Sequence, residues 1–120
     1  MKVLVVEDCA GERSFVCTCL QRRNYRVELV CDEGEAIARA AQEDFDLIIL
    51  DLMQPSKSSL LLLHELRQLN RDSKILILST PEQIVDRVTA LIQGADDYLV
   101  KPFTTEDLYA RILPPETPRQ

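Results

Sequence analysis

The sequence lacks an excess of positive charge. It contains 14 lysines and arginines against 20 aspartates and glutamates, which gives a net charge of −6. Affinity for a nucleic acid backbone comes from clustered lysine and arginine side chains. We therefore expect no direct binding to DNA or RNA by this chain, and any DNA contact would need a further domain.

Long apolar runs are also missing. The longest span four residues, for example residues 60–63, whereas a membrane-spanning helix needs about 20 apolar residues. The apolar stretch that begins at Val3 is interrupted by Glu7 and Asp8 before it could form the core of a signal peptide. We therefore predict a cytoplasmic protein that makes no membrane contact.

Cysteine and histidine are not placed for metal binding or for catalysis. None of the four cysteines has C-x-x-C spacing or a neighbouring histidine, which excludes a typical zinc or thioredoxin-like site; they are Cys9, Cys17, Cys19 and Cys31. We expect reduced thiols in the core, with Cys9 exposed beside the acids. The one histidine, His64, has no partner acids placed for catalysis, so we expect a solvated or partly packed side chain.

What is present is enough for one domain. A chain of 120 residues with 46% apolar residues has the size and composition of a single globular unit. Three prolines, Pro114, Pro115 and Pro118, follow the last helical pattern and favour an extended segment. We therefore predict a domain over residues 1–113 and a proline-rich linker or tail over residues 114–120.

Segments of two kinds alternate along the whole chain. Apolar, β-branched runs of strand length occur at residues 2–6, 27–30, 47–50, 75–78 and 98–100. Between and after them, apolar residues recur at intervals of three or four, as in helices. Because several strands are apolar at every position, a parallel sheet covered on both faces is indicated. The prediction is a doubly wound α/β fold of five βα units.

Polar side chains follow four of the five predicted strands. They are Glu7 and Asp8 after the first, Asp51 after the third, Ser79 after the fourth and Lys101 after the fifth. In a doubly wound parallel sheet, ligands bind outside the carboxyl ends of the strands. We therefore expect these side chains to converge at one edge of the sheet.

The chemistry of this set points to a cation and a phosphoryl group. Three converging carboxylates repel one another unless a cation intervenes, and Mg²⁺ prefers oxygen ligands of this kind. Glu7, Asp8 and Asp51 would bind it, with a main-chain carbonyl shortly after Asp51. Lys101 offers a positive charge and Ser79 a hydroxyl to phosphoryl oxygens, and the Asp51 carboxylate can attack phosphorus as a nucleophile.

Three sequence runs resemble the receiver domains of two-component response regulators. They are residues 5–8 (VVED), 49–53 (ILDLM) and 94–103 (GADDYLVKPF). The resemblance extends over residues 1–113 and keeps both order and spacing. It implies the flavodoxin-like strand order 2-1-3-4-5.

The resemblance also implies a role for each site residue. Asp51 would be the phosphoacceptor, and Glu7, Asp8 and the Met53 main-chain carbonyl would bind Mg²⁺ with it. Lys101 would contact the phosphoryl group, and its bond to Pro102 would be cis. Ser79 and Tyr98 would be the switch residues that move inward together on phosphorylation. Such a domain performs only its own phosphotransfer and autodephosphorylation.

Among response regulators, the sequence is most similar to transcription factors with a winged-helix DNA-binding domain. Their receivers take the phosphoryl group from a histidine kinase or phosphotransfer protein and dimerise through the fourth helix, fifth strand and fifth helix. The residues that match the charged pairs of this interface are Arg87, Asp96, Asp97, Asp107 and Arg111. DNA binding would belong to an output domain outside these 120 residues.

Departures from the family pattern leave a second interpretation open. Ser56 and Ser59 stand where the family usually has glycine, Thr80 adds bulk beside the phosphoryl pocket, and Glu12 replaces an apolar residue. The alternative is a degenerate receiver that binds partners without phosphorylation. A third interpretation, a magnesium-dependent phosphohydrolase, would favour an acid two residues after Asp51, where Met53 stands.

Overall fold

The computed structural model describes residues 1–7, 14–51, 57–79 and 94–112, with side chains from residue 61 onward in the third range. Five strands form one sheet: β1 (Lys2–Val6), β2 (Arg26–Val30), β3 (Leu47–Asp51), β4 (Lys74–Ser79) and β5 (Asp97–Val100). All neighbouring pairs are parallel, and the order is β2-β1-β3-β4-β5. The predicted fold and strand order are confirmed.

Four helices lie within the described residues: α1 (Phe15–Arg22), α2 (Glu33–Gln42), α3 (Lys57–Leu69) and the last helix (Thr105–Ile112). The predicted fourth helical segment, around residues 84–92, lies outside the described residues, as does the predicted tail at 114–120. No helix of the described ranges is long and apolar enough to cross a bilayer.

The sheet has an apolar core on each face. Alternate side chains of each strand point to opposite faces, so that Leu4 and Ile48 pack with α2 and α3, while Val5 and Ile49 pack with α1 and the last helix. Because both faces are covered, successive residues of β1, β3 and β4 are buried. This double burial explains the uninterrupted apolar runs in the sequence.

The cysteine prediction is only partly right. Cys17 and Cys19 are buried free thiols on α1, as expected of small apolar side chains. Cys31 is exposed just after β2 and is disulfide-bonded, so the expectation of a reduced core thiol is wrong there. The cause is its position, since β2 lies at the edge of the sheet and Cys31 follows its last residue.

Arg67 near the end of α3 connects three separate segments. Its guanidinium donates to the main-chain oxygen of Ser73 at 2.7 Å, to that of Gly94 at 2.8 Å and to the Asp96 carboxylate at 2.6 Å. The same Asp96 oxygen accepts the amide of Ile75 at 2.8 Å. The Arg67 side chain is only 19% exposed. Arg67 therefore fixes the segment just before β5 against the turn between α3 and β4.

Arg67→Ala is expected to lower the free energy of unfolding by about 3 kcal/mol, because partly buried carbonyls and a carboxylate would lose charged hydrogen bonds. Urea denaturation measures this. The control is Arg71→Ala, since Arg71 is exposed four residues further on and should change stability by less than about 0.5 kcal/mol. Equal stability of the Arg67 variant and the wild type would show that water replaces these hydrogen bonds without cost.

Candidate functional site at the carboxyl edge of the sheet

The polar residues that follow the strands lie along one edge of the sheet. Glu7 directly follows β1, Asp51 and Ser79 are the last residues of β3 and β4, and Lys101 directly follows β5. Parallel strands place all four at the carboxyl edge. The strand order reverses around β1, and crevices at such positions bind ligands in this type of fold.

Asp51 and Lys101 are in direct contact although they lie 50 residues apart. The Lys101 ammonium is 2.7 Å from Oδ1 and 3.0 Å from Oδ2 of Asp51. The main-chain amide of Lys101 donates to Ser79 at 2.7 Å, which holds this residue at the end of β4. The Asp51 side chain is 15% exposed and that of Lys101 is 36% exposed. The pair is therefore neutralised but still accessible from solvent.

Glu7 lies in an environment that disfavours its ionised form. Burial raises the pKa of the Glu7 carboxyl above its usual value, and repulsion from Asp51 raises it further. A hydrogen bond from Ser14 and the positive charge of Lys101 lower the same pKa, but these effects are weaker in sum. The Lys101 ammonium thus leaves the Glu7 and Asp51 carboxylates incompletely neutralised.

Ser14 was not among the predicted site residues. Its side chain accepts the amide of Cys17 at 3.0 Å and so caps α1, and it also supports the Glu7 carboxyl. A serine just before an apolar helical run is an N-cap signal that sequence alone could have supplied. Its contact with Glu7 depends on how α1 packs against the end of β1, which no local sequence pattern predicts.

Ser79 and Tyr98 meet inside the protein. Ser79 is fully buried and Tyr98 is 4% exposed. The Ser79 hydroxyl donates to the Tyr98 hydroxyl, and the Tyr98 ring belongs to the core on the face of α2 and α3. The two predicted switch residues are therefore adjacent, with Tyr98 turned inward.

Several predicted residues lie outside the described residues. These are Asp8, Met53 and Arg87, and also Glu12, Ser56 and Thr80 among the family departures. The described ranges alone contain no group of three or more metal-binding side chains. Of the three predicted carboxylates, they include Glu7 and Asp51.

A hard divalent cation fits the donors that are described. Glu7 and Asp51 supply carboxylate oxygens, which Mg²⁺ prefers, and their mutual repulsion would be relieved by added positive charge. The contribution of Asp8 and of the Met53 carbonyl stays a prediction.

The raised pKa of Glu7 has a consequence for stability in the absence of metal. Because the folded protein holds this proton more tightly than the unfolded chain, stability falls as pH rises from 4.5 through the raised pKa. Glu7→Gln should remove this part of the pH dependence, as measured by urea denaturation in EDTA at a series of pH values.

The control for that experiment is Glu65→Gln, since Glu65 is an exposed glutamate on α3. It should leave the pH dependence unchanged. If Glu7→Gln and wild type keep the same slope throughout, the Glu7 carboxyl is not in the desolvated environment described above. If Glu7 binds Mg²⁺ as predicted, the sign should reverse when the ion is present, because Mg²⁺ binds the deprotonated carboxylate and protonation competes with it.

Of the charges predicted at a dimer interface, Arg87 lies outside the described residues, and the other four have partners within the chain. Asp96 pairs with Arg67, and Asp97 pairs with Arg111 at 2.6 Å. Asp107 accepts the amide of Thr104 and donates its own amide to the Thr104 hydroxyl. Those backbone and hydroxyl contacts of Thr104 lower the pKa of Asp107. The role of these residues between two copies stays a prediction.

Comparison with known proteins connects this geometry to a family. A family model described as response regulator receiver domain matches residues 3–113. The chain is 43% identical over 112 residues to the two-component response regulator PhoP of Pseudomonas aeruginosa, covering 93% of this chain and 50% of that protein. The chain spans about half the length of the curated relatives it matches.

Two solved structures show what similar sites contain. A response regulator from Burkholderia pseudomallei, with a phosphorylated aspartic acid and a calcium ion, is 32% identical with a TM-score of 0.74, covering 91% of this chain and 64% of that one. The receiver domain of a sensor histidine kinase from Pseudomonas aeruginosa PAO1 has a magnesium ion in its active site cleft. It is 29% identical with a TM-score of 0.78, covering 92% of both chains.

Proposed function

Because this chain belongs to the response regulator receiver domain family, we propose that it is a signalling switch that accepts a phosphoryl group on Asp51. The observation that carries the proposal is the contact of the Lys101 ammonium with both carboxylate oxygens of Asp51. A nucleophile and a cation at this spacing suit phosphoryl transfer, which depends chiefly on positioning and charge neutralisation.

In the proposed reaction an oxygen of Asp51 attacks the phosphorus of a phosphohistidine on a histidine kinase or phosphotransfer protein. The new bond joins this oxygen to phosphorus, the phosphorus–nitrogen bond breaks, and the imidazole leaves with the electron pair. The Lys101 ammonium, which now pairs with the Asp51 carboxylate, lies close enough to pair with the phosphoryl oxygens once they carry the negative charge. Mg²⁺, bound by Glu7, Asp8, Asp51 and the Met53 carbonyl, would supply further positive charge to those oxygens.

The proposed readout passes through Ser79 and Tyr98. The Ser79 hydroxyl, at the end of β4, now contacts Tyr98. A phosphoryl group on Asp51 would offer this hydroxyl an acceptor at the same edge of the sheet. Tyr98 is already inward without it, so that the predicted movement on phosphorylation would concern Ser79, with Tyr98 held beside it. The surface formed by the predicted helical segment around residues 84–92, β5 and the last helix would then change its conformation and favour a homodimer.

The proposal extends to the activity of a longer protein that contains this chain. We assign residues 1–113 to the receiver and 114–120 to a proline-rich linker or tail. Transcription would be the output of a winged-helix domain outside these 120 residues. The protein would act in the cytoplasm. Catalysis on external substrates is not part of the proposed function, which is limited to phosphotransfer to itself and autodephosphorylation.

Magnesium binding provides a direct test of the site. An ion that binds only the folded state stabilises it by mass action, by about 2.7 kcal/mol when its concentration is 100 times its Kd. We therefore expect a higher melting temperature in saturating MgCl₂ and loss of most of that rise in Asp8→Ala. The control is Asp72→Ala, since Asp72 is exposed in the turn between α3 and β4, at the opposite edge. An equal rise in Asp8→Ala would place the ion elsewhere.

A further inference from the structure

The outer edge of β2 carries main-chain groups that the described residues do not use. β2 is an end strand of the sheet, with β1 as its neighbour. The amide of Arg26 and the carbonyl oxygen of Val30 form hydrogen bonds to residues that flank β1, at 3.0 and 3.2 Å. Main-chain groups alternate in direction along a strand, so that those of Val27 and Leu29 point away from the sheet. No hydrogen bond from the described part of the chain reaches them.

We propose that this edge binds the same edge of a second copy, so that the two sheets join into one across a two-fold axis. Unpaired strand edges are templates for pairing of this kind. A two-fold axis perpendicular to the sheet makes the two β2 strands antiparallel and the contact self-complementary. With the axis at Val27, the two Val27 residues exchange both of their outward main-chain hydrogen bonds.

The charges of β2 select this register. With the axis at Val27, Arg26 of each copy lies opposite Glu28 of the other, which gives two ion pairs in one contact. With the axis at Arg26 or at Glu28, identical charges would lie opposite each other, which destabilises an antiparallel pair. With the axis at Leu29, Glu28 would lie opposite the apolar Val30. The arrangement around Val27 is therefore the favoured one.

The two charged side chains are available for these pairs. Arg26 is exposed and forms no ion pair with the described residues. Glu28 pairs with Arg39 at 3.0 Å but its side chain is still 26% exposed, and a carboxylate can accept hydrogen bonds from more than one cation. A hydrogen bond with the Glu43 carboxyl raises the pKa of Glu28. A second cation beside Glu28 would therefore stabilise its ionised form.

Apolar side chains line the contact on the other face of the strand. Tyr25 and Val27 pack with the core beneath α1 and are only partly buried. Leu29, which is aligned with Val5 of that core, is 43% exposed. In the proposed register Leu29 of one copy lies opposite Tyr25 of the other, with the two Val27 side chains between these pairs. The contact thus removes from water an apolar surface that the single chain leaves exposed.

This contact is separate from the surface predicted to dimerise on phosphorylation. That surface includes β5, which is the strand at the opposite end of the sheet. The β2 contact therefore needs no phosphoryl group. Its failure would leave the proposed function in place, and a failure of phosphoryl uptake would leave the β2 contact in place.

Sedimentation equilibrium of the unphosphorylated full chain tests the association. One strand from each copy makes a small interface, so we expect a weak dimer with a Kd below about 1 mM. Arg26→Glu should weaken it by about tenfold, because both ion pairs become repulsive. Combining Arg26→Glu with Glu28→Arg places opposite charges across the axis again and should restore most of the affinity. The control Arg71→Glu makes the same charge change at an exposed position in the α3–β4 turn and should leave the Kd unchanged.

Amide hydrogen exchange measured by NMR locates the contact. The Val27 amide should exchange more slowly as the protein concentration rises, because only the second copy protects it. The Glu28 amide points towards β1 and should show no such dependence. A monomer at all concentrations up to about 1 mM, a dimer that Arg26→Glu leaves intact, or a Val27 amide insensitive to concentration would overturn the proposal.

Discussion

Asp51→Asn is expected to abolish phosphoryl uptake when the protein is incubated with acetyl phosphate and MgCl₂. The amide has nearly the same shape as the carboxylate but is uncharged, and its oxygen is too weak a nucleophile to attack phosphorus. Intact mass spectrometry should show one added phosphoryl group on the wild type and none on the variant.

The control for this experiment is Asp72→Asn, since Asp72 is exposed at the opposite edge of the sheet. It should take up the phosphoryl group like the wild type. Uptake by Asp51→Asn at the wild-type level would mean that another side chain is the acceptor. A wild type that takes up nothing would favour the alternative of a degenerate receiver that binds partners without phosphorylation.

Lys101→Ala is expected to slow the same uptake by about 100-fold to 1,000-fold, the loss typical when one preorganised charge is removed from a reacting centre. The ammonium lies against both Asp51 oxygens, so that its removal leaves the carboxylate and incoming phosphoryl oxygens without that neutralisation. The main-chain contact of residue 101 with Ser79 does not need the side chain, and the fold should persist. Rates of uptake by mass spectrometry measure the effect.

Lys2→Ala is the matched control, because Lys2 also forms an ion pair, with Glu43 at 2.9 Å, but at the beginning of β1. It should leave the rate of uptake unchanged. An unaltered rate in Lys101→Ala would show that this lysine acts only after the transfer. Turnover of an external phosphomonoester by the wild type would instead support the phosphohydrolase interpretation, and none is expected.

The fold could be predicted because its signal is local and repeated. Strands such as β3 and β4 are apolar at nearly every position, which only burial on both faces explains, and helical spacing follows each of them. The strand order came with the family resemblance rather than from periodicity. Once parallel strands are assumed, the meeting of Asp51 and Lys101 at one edge follows from the geometry of the sheet.

The contacts that could not be predicted depend on how distant segments approach one another. Arg67 looks like an ordinary helix-surface arginine in the sequence, yet it binds Gly94 and Asp96 across 27 and 29 residues. Likewise, nothing local distinguishes Cys31 from the buried thiols Cys17 and Cys19. Its exposure depends on its position just past an edge strand of the sheet.

A crystal structure of the protein with MgCl₂ and beryllium trifluoride, a mimic of the phosphoryl group, tests the central claim most directly. We expect beryllium bonded to a carboxylate oxygen of Asp51, Lys101 in contact with a fluorine, and Mg²⁺ bound by Glu7, Asp8 and Asp51. Beryllium trifluoride on another side chain, or Mg²⁺ bound away from these acids, would contradict it.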